Sequence, residues 1–273
     1  MKCELDLITV HYEVFGSGTP ILLLHGFSCD RRLMMGCMEP IFSRQPGWKR
    51  IYIDLPGMGM TKEEDWINSS DDMLDVIDQF VEKVLREERF LLAGESYGGY
   101  LSKGLLTRRF DQIDGLLLIC PSAGRIKRDA PPFTVIAQDD AFLKQLDHEQ
   151  KEEFTAMQVV QDAYNWARFQ TEILSGIQVA DHAFLERIEH KYDLSSHQEV
   201  LDQPYEKPVL IMTGRQDHVV GYRNQWELAN EFPRASFILL DRAGHNLQIE
   251  QNHLFNSLVQ EWLDRVVENK QSR

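Results

Sequence analysis

The sequence predicts an α/β fold: a mostly parallel sheet of eight strands flanked by helices, with a helical segment inserted between two of the strands. Three observations predict it. Strand-length apolar runs alternate with helix-length amphipathic stretches, which is the rhythm of strand–crossover–strand units. Several of the runs are continuously apolar rather than alternating, as strands covered on both faces must be. One stretch, residues 124–205, breaks the rhythm and contains no convincing strand.

Taken in order, residues 4–10 and 12–15 read as an opening pair of strands, and Gly16-Ser17-Gly18 as the turn that follows. Residues 21–24 form a continuous apolar run and the next strand; residues 50–55, 90–93, 116–120, 208–213 and 235–240 resemble it. Between them, residues 71–88 place Met73, Leu74, Ile77, Phe80, Val81, Val84 and Leu85 three and four apart, one apolar helix face. Ser69, Ser70, Asp71 and Asp72 supply capping groups in front of that face. Residues 97–110, 222–231 and 247–267 are further helices. The segment 124–205 is rich in helix formers and charge with aromatic residues interleaved, and it is too long for a loop. Pro131-Pro132 near its start and Pro204 and Pro208 at its end suit hinges. The expected organisation is therefore a core of residues 1–123 and 206–273 with a helical cap of residues 124–205.

Composition narrows the function. Apolar residues are 43% and charged residues 26% of the 273, which excludes a disordered chain. Twenty-nine Lys and Arg against 43 Asp and Glu leave a net charge of −14, a field that repels phosphate backbones and anionic lipid, so no nucleic-acid partner is expected. The longest apolar runs fall far short of the about 20 residues a membrane span needs. Glu4 and Asp6 stand where a secretory leader requires an apolar stretch. Cys3, Cys29, Cys37 and Cys120 show neither CxxC pairing nor metal-ligand spacing, and reduced thiols in the cytoplasm are expected. The chain is expected to act as a monomer or homodimer on a small molecule.

The chemistry centres on Gly94-Glu95-Ser96-Tyr97-Gly98-Gly99, which follows one apolar run and precedes a helix. A strand, a tight turn and a helix with Ser96 at the apex lift a hydroxyl out of the backbone, and small neighbours let strand and helix approach closely. GxSxG by itself is a modest signal; the context and Gly99 sharpen it. A serine hydroxyl needs a base. Of nine histidines, His245 is preferred: it sits in a loop directly after the predicted strand 235–240, where open sheets present their catalytic groups. His148, His182, His190 and His197 lie in the insertion, His11 in the opening strands and His253 in the last helix. The base needs an acid to hold its tautomer. Asp217, just beyond residues 208–213, is preferred over Asp241, which lies only four residues from His245. His25-Gly26-Phe27-Ser28 follows residues 21–24 and is placed to offer the Phe27 N–H to an oxyanion, with the Tyr97 N–H as second donor. His25 itself is expected to hold that loop.

With these residues in view, the chain resembles the α/β-hydrolase-fold serine hydrolases that carry a helical cap, an esterase-like group. Four landmarks match in order: His25-Gly26-Phe27, Asp54-Leu55-Pro56-Gly57-Met58-Gly59, Gly94 to Gly99, and Gly244-His245-Asn246, with Asp217 fitting between the last two. The likeness covers nearly the whole chain and is least informative over the cap. It implies a structural role for the Asp54–Gly59 loop near the mouth of the site.

The expected activity is hydrolysis of a small acyl compound, foremost a carboxylic ester, by Ser96, His245 and Asp217 through an acyl-enzyme. Thioesterase, lactonase, C–C bond hydrolase and aminopeptidase readings share the same three residues; by resemblance, aminopeptidases often carry Trp where Tyr97 stands and C–C hydrolases where Asn246 stands. A non-catalytic small-molecule binding protein of the same fold is the alternative of another class. No cofactor and no metal are expected: there is no HExxH, no Walker loop, and Gly57-Met58-Gly59 lacks a third glycine. Met157, Tyr164 and Trp166 are candidate substrate contacts within a Met- and aromatic-bearing stretch. Arg31 and Arg32 read as a solvated helix start or as partners of a substrate carboxylate. Glu95 reads as a buried ion pair or a substrate contact.

Overall fold

A computed structural model of the chain describes residues 1–43, 45–125, 129–195 and 201–271. The first half comprises β1 (Lys2–Glu4), β2 (Thr9–Phe15), β3 (Thr19–Leu24), α1 (Arg31–Phe42), β4 (Trp48–Ile53), α2 (Ser70–Val84), β5 (Phe90–Glu95), α3 (Tyr97–Arg108) and β6 (Ile113–Ile119). There follow β7 (Ala137–Gln138), α4 (Asp140–Leu143), α5 (His148–Met157), β8 (Val160–Gln161), α6 (Ala163–Phe169), a π-helical turn (Gln170–Leu174), α7 (Ser175–Ile177) and α8 (His182–Glu189). The chain closes with β9 (Val209–Gly214), α9 (Arg223–Ala229), β10 (Ala235–Leu240), α10 (Leu247–Glu250) and α11 (Asn252–Gln271).

Eight strands form one sheet in the order β1-β2-β4-β3-β5-β6-β9-β10, antiparallel at β1–β2 and β2–β4 and parallel elsewhere. The continuous apolar runs have a simple cause. Leu22, Leu92 and Leu116 face one core with α2 and α3, while Ile21, Leu91 and Leu117 face another with α1 and α11. Successive side chains point to opposite faces, so a strand covered on both sides is apolar throughout.

Differences from the sequence reading are local. The first break falls at residues 5–8, where the Leu5 N–H bonds to the Ile8 carbonyl and Leu7 is 64% exposed, and not near His11. Helix α2 stops at Val84 because Arg86 turns into the left-handed region (φ 54) and its N–H caps Val81. The final helix is two, α10 and α11, parted at Gln251, which is not helical. Helix α1 begins at the helix start read at Arg31 and Arg32, and Asp30 caps it by accepting the Arg32 N–H.

Between β6 and β9 the described chain is mostly helical, but β7 and β8 pair in parallel where no strand was expected. This segment is tied to the rest by specific contacts. The Ser70 N–H bonds the Lys191 carbonyl, the Leu194 N–H bonds the Tyr100 hydroxyl, and the Asp181 N–H bonds the Gly57 carbonyl. Gly57 has φ +72, and a Cβ there would lie 2.2 Å from the Phe184 ring, so only glycine admits this docking. Among the described residues no helix is long and apolar enough to cross a membrane.

Candidate active site

The sharp turn between β5 and α3 holds Ser96 at φ 50, ψ −112, outside the conformations a serine prefers. Its surroundings enforce this. The Ser96 N–H bonds the Ile119 carbonyl, and its own carbonyl accepts from Tyr100 and Ser122. A Cβ at Gly94 would come 2.4 Å from the Gly98 carbonyl, and one at Gly98 would come 2.4 Å from that of Leu24. The glycines on either side of the serine are thus what lets strand, turn and helix close up.

His245 and Asp217 arrive from loops after adjacent strands, β10 and β9. His245 Nε2 lies 2.9 Å from Ser96 Oγ, and Nδ1 lies 2.9 Å from Asp217 Oδ2. The other carboxylate oxygen of Asp217 accepts the Val219 and Val220 N–H groups at 2.9 and 3.0 Å, which fixes its orientation. All three residues are buried. The arrangement assigns Nδ1 as the protonated nitrogen and leaves Nε2 to accept from the serine, the geometry of an activated nucleophile. Asp241, the rival acid, instead meets the Gln216 amide.

The loop after β3 forms the other wall. The His25 ring donates from Nδ1 to the Gly26 carbonyl and accepts the Leu55 N–H at Nε2, so it locks this loop to the one after β4. Burial lowers its pKa, in keeping with a neutral ring. Phe27 lines the cavity. Tyr97 is the first residue of α3, so its N–H has no intrahelical acceptor. Its side chain points the other way, into the core, where its hydroxyl meets Ser70 and its ring packs on Phe27 and Tyr192.

Ser96 and His245 open onto a cavity of about 250 Å³. Its walls include Leu33, Met157, Ile173, Ile177, Tyr192, Val219 and Val220. Of the residues picked from sequence as substrate contacts, only Met157 is in the wall. Tyr164 is 48% exposed with its hydroxyl against Arg168. Trp166 packs on Phe154 and Phe169 in a buried aromatic cluster outside the cavity wall. Met157 closes α5, whereas Tyr164 and Trp166 lie on α6 beyond β8 and, two positions apart on one helix, point to different faces. The residues that do face the cavity, Ile173 and Ile177, come from the π-helical turn and α7, for which the sequence carries no signal.

The structure also places three charged residues. Arg31 does open a helix, α1, but its side chain is neither solvated nor free to meet a substrate carboxylate: it binds Asp54 and Glu13. Asp54 in turn accepts the Arg31 and Met60 N–H groups, which is how the Asp54–Gly59 loop is held. Arg32 pairs with Asp30 and with the Ser175 carbonyl. Glu95 is buried in the cavity wall, 3.6 Å from His245 Nε2. Burial pushes its carboxyl up to about 7, Asp217 adding to the rise and His245 opposing it.

Sequence reasoning missed Glu250. One oxygen of its buried carboxyl accepts the Gly244 N–H at 2.6 Å; the other accepts the Val159 N–H at 2.7 Å. It therefore staples the His245 loop to β8 of the inserted segment. Burial also raises this carboxyl to about 7, against its three backbone donors. Among the other histidines, His148, His182, His190, His11 and His253 are not in the cavity wall, and His197 lies outside the described residues. Among the described residues the one grouping of metal-ligand types is Cys120, Asp217 and His245. A cation there would have to displace the His245–Asp217 hydrogen bond and deprotonate a thiol whose pKa burial raises well above the ordinary value.

Residues 19–251 match the model of a family described as alpha/beta hydrolase fold. A pimeloyl-[acyl-carrier protein] methyl ester esterase of Legionella pneumophila (strain Corby) is 24% identical over 263 residues, covering 94% of this chain and all of the relative. The AB hydrolase superfamily protein YisY of Bacillus subtilis (strain 168) is 24% identical, covering 92% of this chain and 94% of its own. Among solved structures, an alpha/beta superfamily hydrolase from Oenococcus oeni PSU-1 superposes with a TM-score of 0.88 at 32% identity, covering 97% of this chain and 99% of the other. A thermophilic esterase from Thermogutta terrifontis shares the fold at 20% identity and a TM-score of 0.66, covering 95% of this chain and 94% of its own.

Proposed function

This chain belongs to the alpha/beta hydrolase family and is a hydrolase, and from that premise we propose that it cleaves a small carboxylic ester through Ser96, His245 and Asp217. The observation that carries the reading is the unbroken hydrogen-bonded chain from Ser96 Oγ through His245 to Asp217 at the floor of an apolar cavity. The cavity lies below the about 300–1,000 Å³ of drug-sized sites, which favours a small acyl group. The methyl ester named for the curated relatives supports an ester bond as the point of attack.

In the first half-reaction His245 Nε2 takes the Ser96 proton as Oγ attacks the carbonyl carbon. The Phe27 and Tyr97 N–H groups hold the oxyanion, each contributing about 3 kcal/mol in the transition state. The C–O bond breaks, His245 returns the proton to the departing alcohol, and an acyl-Ser96 remains. Water then loses a proton to His245 and attacks the acyl carbon; the bond to Ser96 Oγ breaks, His245 returns the proton to Oγ, and the acid departs. Asp217 keeps the tautomer and balances the imidazolium. Residues 124–205 act as a cap over a core of 1–123 and 206–273, contributing Met157, Ile173 and Ile177 to the wall. Four buried, unpaired cysteines support a reducing compartment, the cytoplasm.

The test is turnover of p-nitrophenyl esters and thioesters of graded acyl length. The wild type is expected to prefer short oxygen esters. Ser96→Ala and His245→Ala are each expected to lose a factor of about 10⁴ or more in kcat with the fold retained by circular dichroism. Ester turnover surviving in either variant would overturn the assignment. Failure of the wild type to turn over any ester, despite labelling of Ser96 by a fluorophosphonate, would favour a binding protein.

A further inference from the structure

Glu95 is a carboxyl in the cavity wall that the steps above leave unused, and its setting is unusual. It is 2% exposed, and among the described residues its one ionic contact is with His245 Nε2 at 3.6 Å. Gly26 makes room for it: a Cβ there would fall 2.2 Å from Glu95 Oε2 and 3.3 Å from the Ser96 Cβ. The carboxyl thus lies between the loop carrying Phe27 and the nucleophile, beside the place an acyl group must occupy. Among the described residues no Lys or Arg lines the cavity, and the second acid in its wall, Glu189, is paired with Arg125.

We propose that Glu95 is a charge-selecting subsite for the acyl group, admitting neutral acyl groups and turning away those that carry an anion. The proposal rests on the hydrolase reading and narrows its substrate class. A buried carboxylate in a small cavity whose wall, among the described residues, holds no Lys or Arg repels a second negative charge far more than one in water would. The selection is tunable, because burial holds this carboxyl near 7. The groups that face it are His245, Asp217 and the thiols of Cys29, Cys37 and Cys120. Burial raises the pKa of all three thiols, so they stay neutral. His245 serves every substrate alike and cancels in a ratio of two substrates. Glu250, whose carboxyl also lies near 7, is not in the cavity wall, and Glu95→Gln leaves it in place, so the ratio compared between wild type and variant isolates Glu95.

The experiment compares monomethyl succinate, whose acyl group is anionic, with methyl levulinate, its neutral isostere. In the wild type, kcat/KM for the anionic ester relative to the neutral one is expected to fall on the order of tenfold between about pH 6 and about pH 8.5, the scale of one charge repulsion across a protein site. Glu95→Gln, which keeps the shape, is expected to flatten the ratio whatever it does to the absolute rates. A ratio in the wild type that does not change with pH overturns the proposal without any variant. A wild-type slope retained by Glu95→Gln overturns it as well. If neither ester is turned over, the hydrolase reading is what fails. The subsite is then read by binding of phenylboronic acid against para-carboxyphenylboronic acid over the same pH range, with the same expected fall and the same overturning flat result.

Discussion

Asp217 divides one carboxyl between two tasks. One oxygen is held by the backbone of Val219 and Val220, and the other is free to hold His245. An amide at this position can preserve the first set of contacts but offers the imidazole a choice of the wrong tautomer. Asp217→Asn is therefore expected to lower kcat by about 10⁴ with little change in melting temperature, measured on the same p-nitrophenyl ester. A loss below tenfold would show that Nδ1 is oriented by something else. This acid was legible from sequence because it follows a strand end. Arg31 was not, because its partners Glu13 and Asp54 are remote in sequence and meet only across the folded sheet.

At the level of elements, two features of the site carry a cost. Ser96 sits in a left-handed region that costs a non-glycine residue about 1–3 kcal/mol. Ser96→Gly is expected to abolish turnover yet raise the melting temperature by about 2 °C. A melting temperature below wild type would mean the turn holds no strain. The staple made by Glu250 joins the His245 loop to β8. Glu250→Ala orphans the Gly244, Val159 and Val160 N–H groups, each worth about 1–3 kcal/mol when left unsatisfied. The variant is expected to melt lower and to label Ser96 with a fluorophosphonate at least about tenfold more slowly, whereas Glu250→Gln should recover part of both. Equal labelling rates in the alanine variant and the wild type would disconnect β8 from the histidine loop.

Over the whole molecule, Glu95 and Glu250 make stability depend on pH. Both carboxyls are raised from 4.5 to about 7 in the folded protein by burial. The folded state therefore binds more protons than the unfolded state between these values, and stability falls as pH rises through them. Each contributes a loss on the order of 3 kcal/mol by about pH 8.5. The net charge of −14 acts in the same direction by self-repulsion. The wild type should unfold at lower urea at pH 8.5 than at pH 5.5, and the double variant Glu95→Gln, Glu250→Gln should show a smaller difference. An unchanged difference would assign the pH dependence to general charge alone.

The amino-acid sequence by itself determined the strand–helix alternation, the glycines around Ser96, and the strand-end loops that carry Asp217 and His245. These follow from local rules: apolar periodicity, φ freedom at glycine, and the fact that parallel strands all end at one rim. Tertiary structure alone decided that Ile173 and Ile177 face the cavity while Tyr164 and Trp166 do not, that Arg31 is spent on Asp54, and that Glu95 and Glu250 are buried. The reason is physical. Whether a side chain faces a cavity or loses its water depends on which distant segments pack against it, and the docking of residues 129–195 on the strand-end loops is written in contacts between residues far apart along the chain.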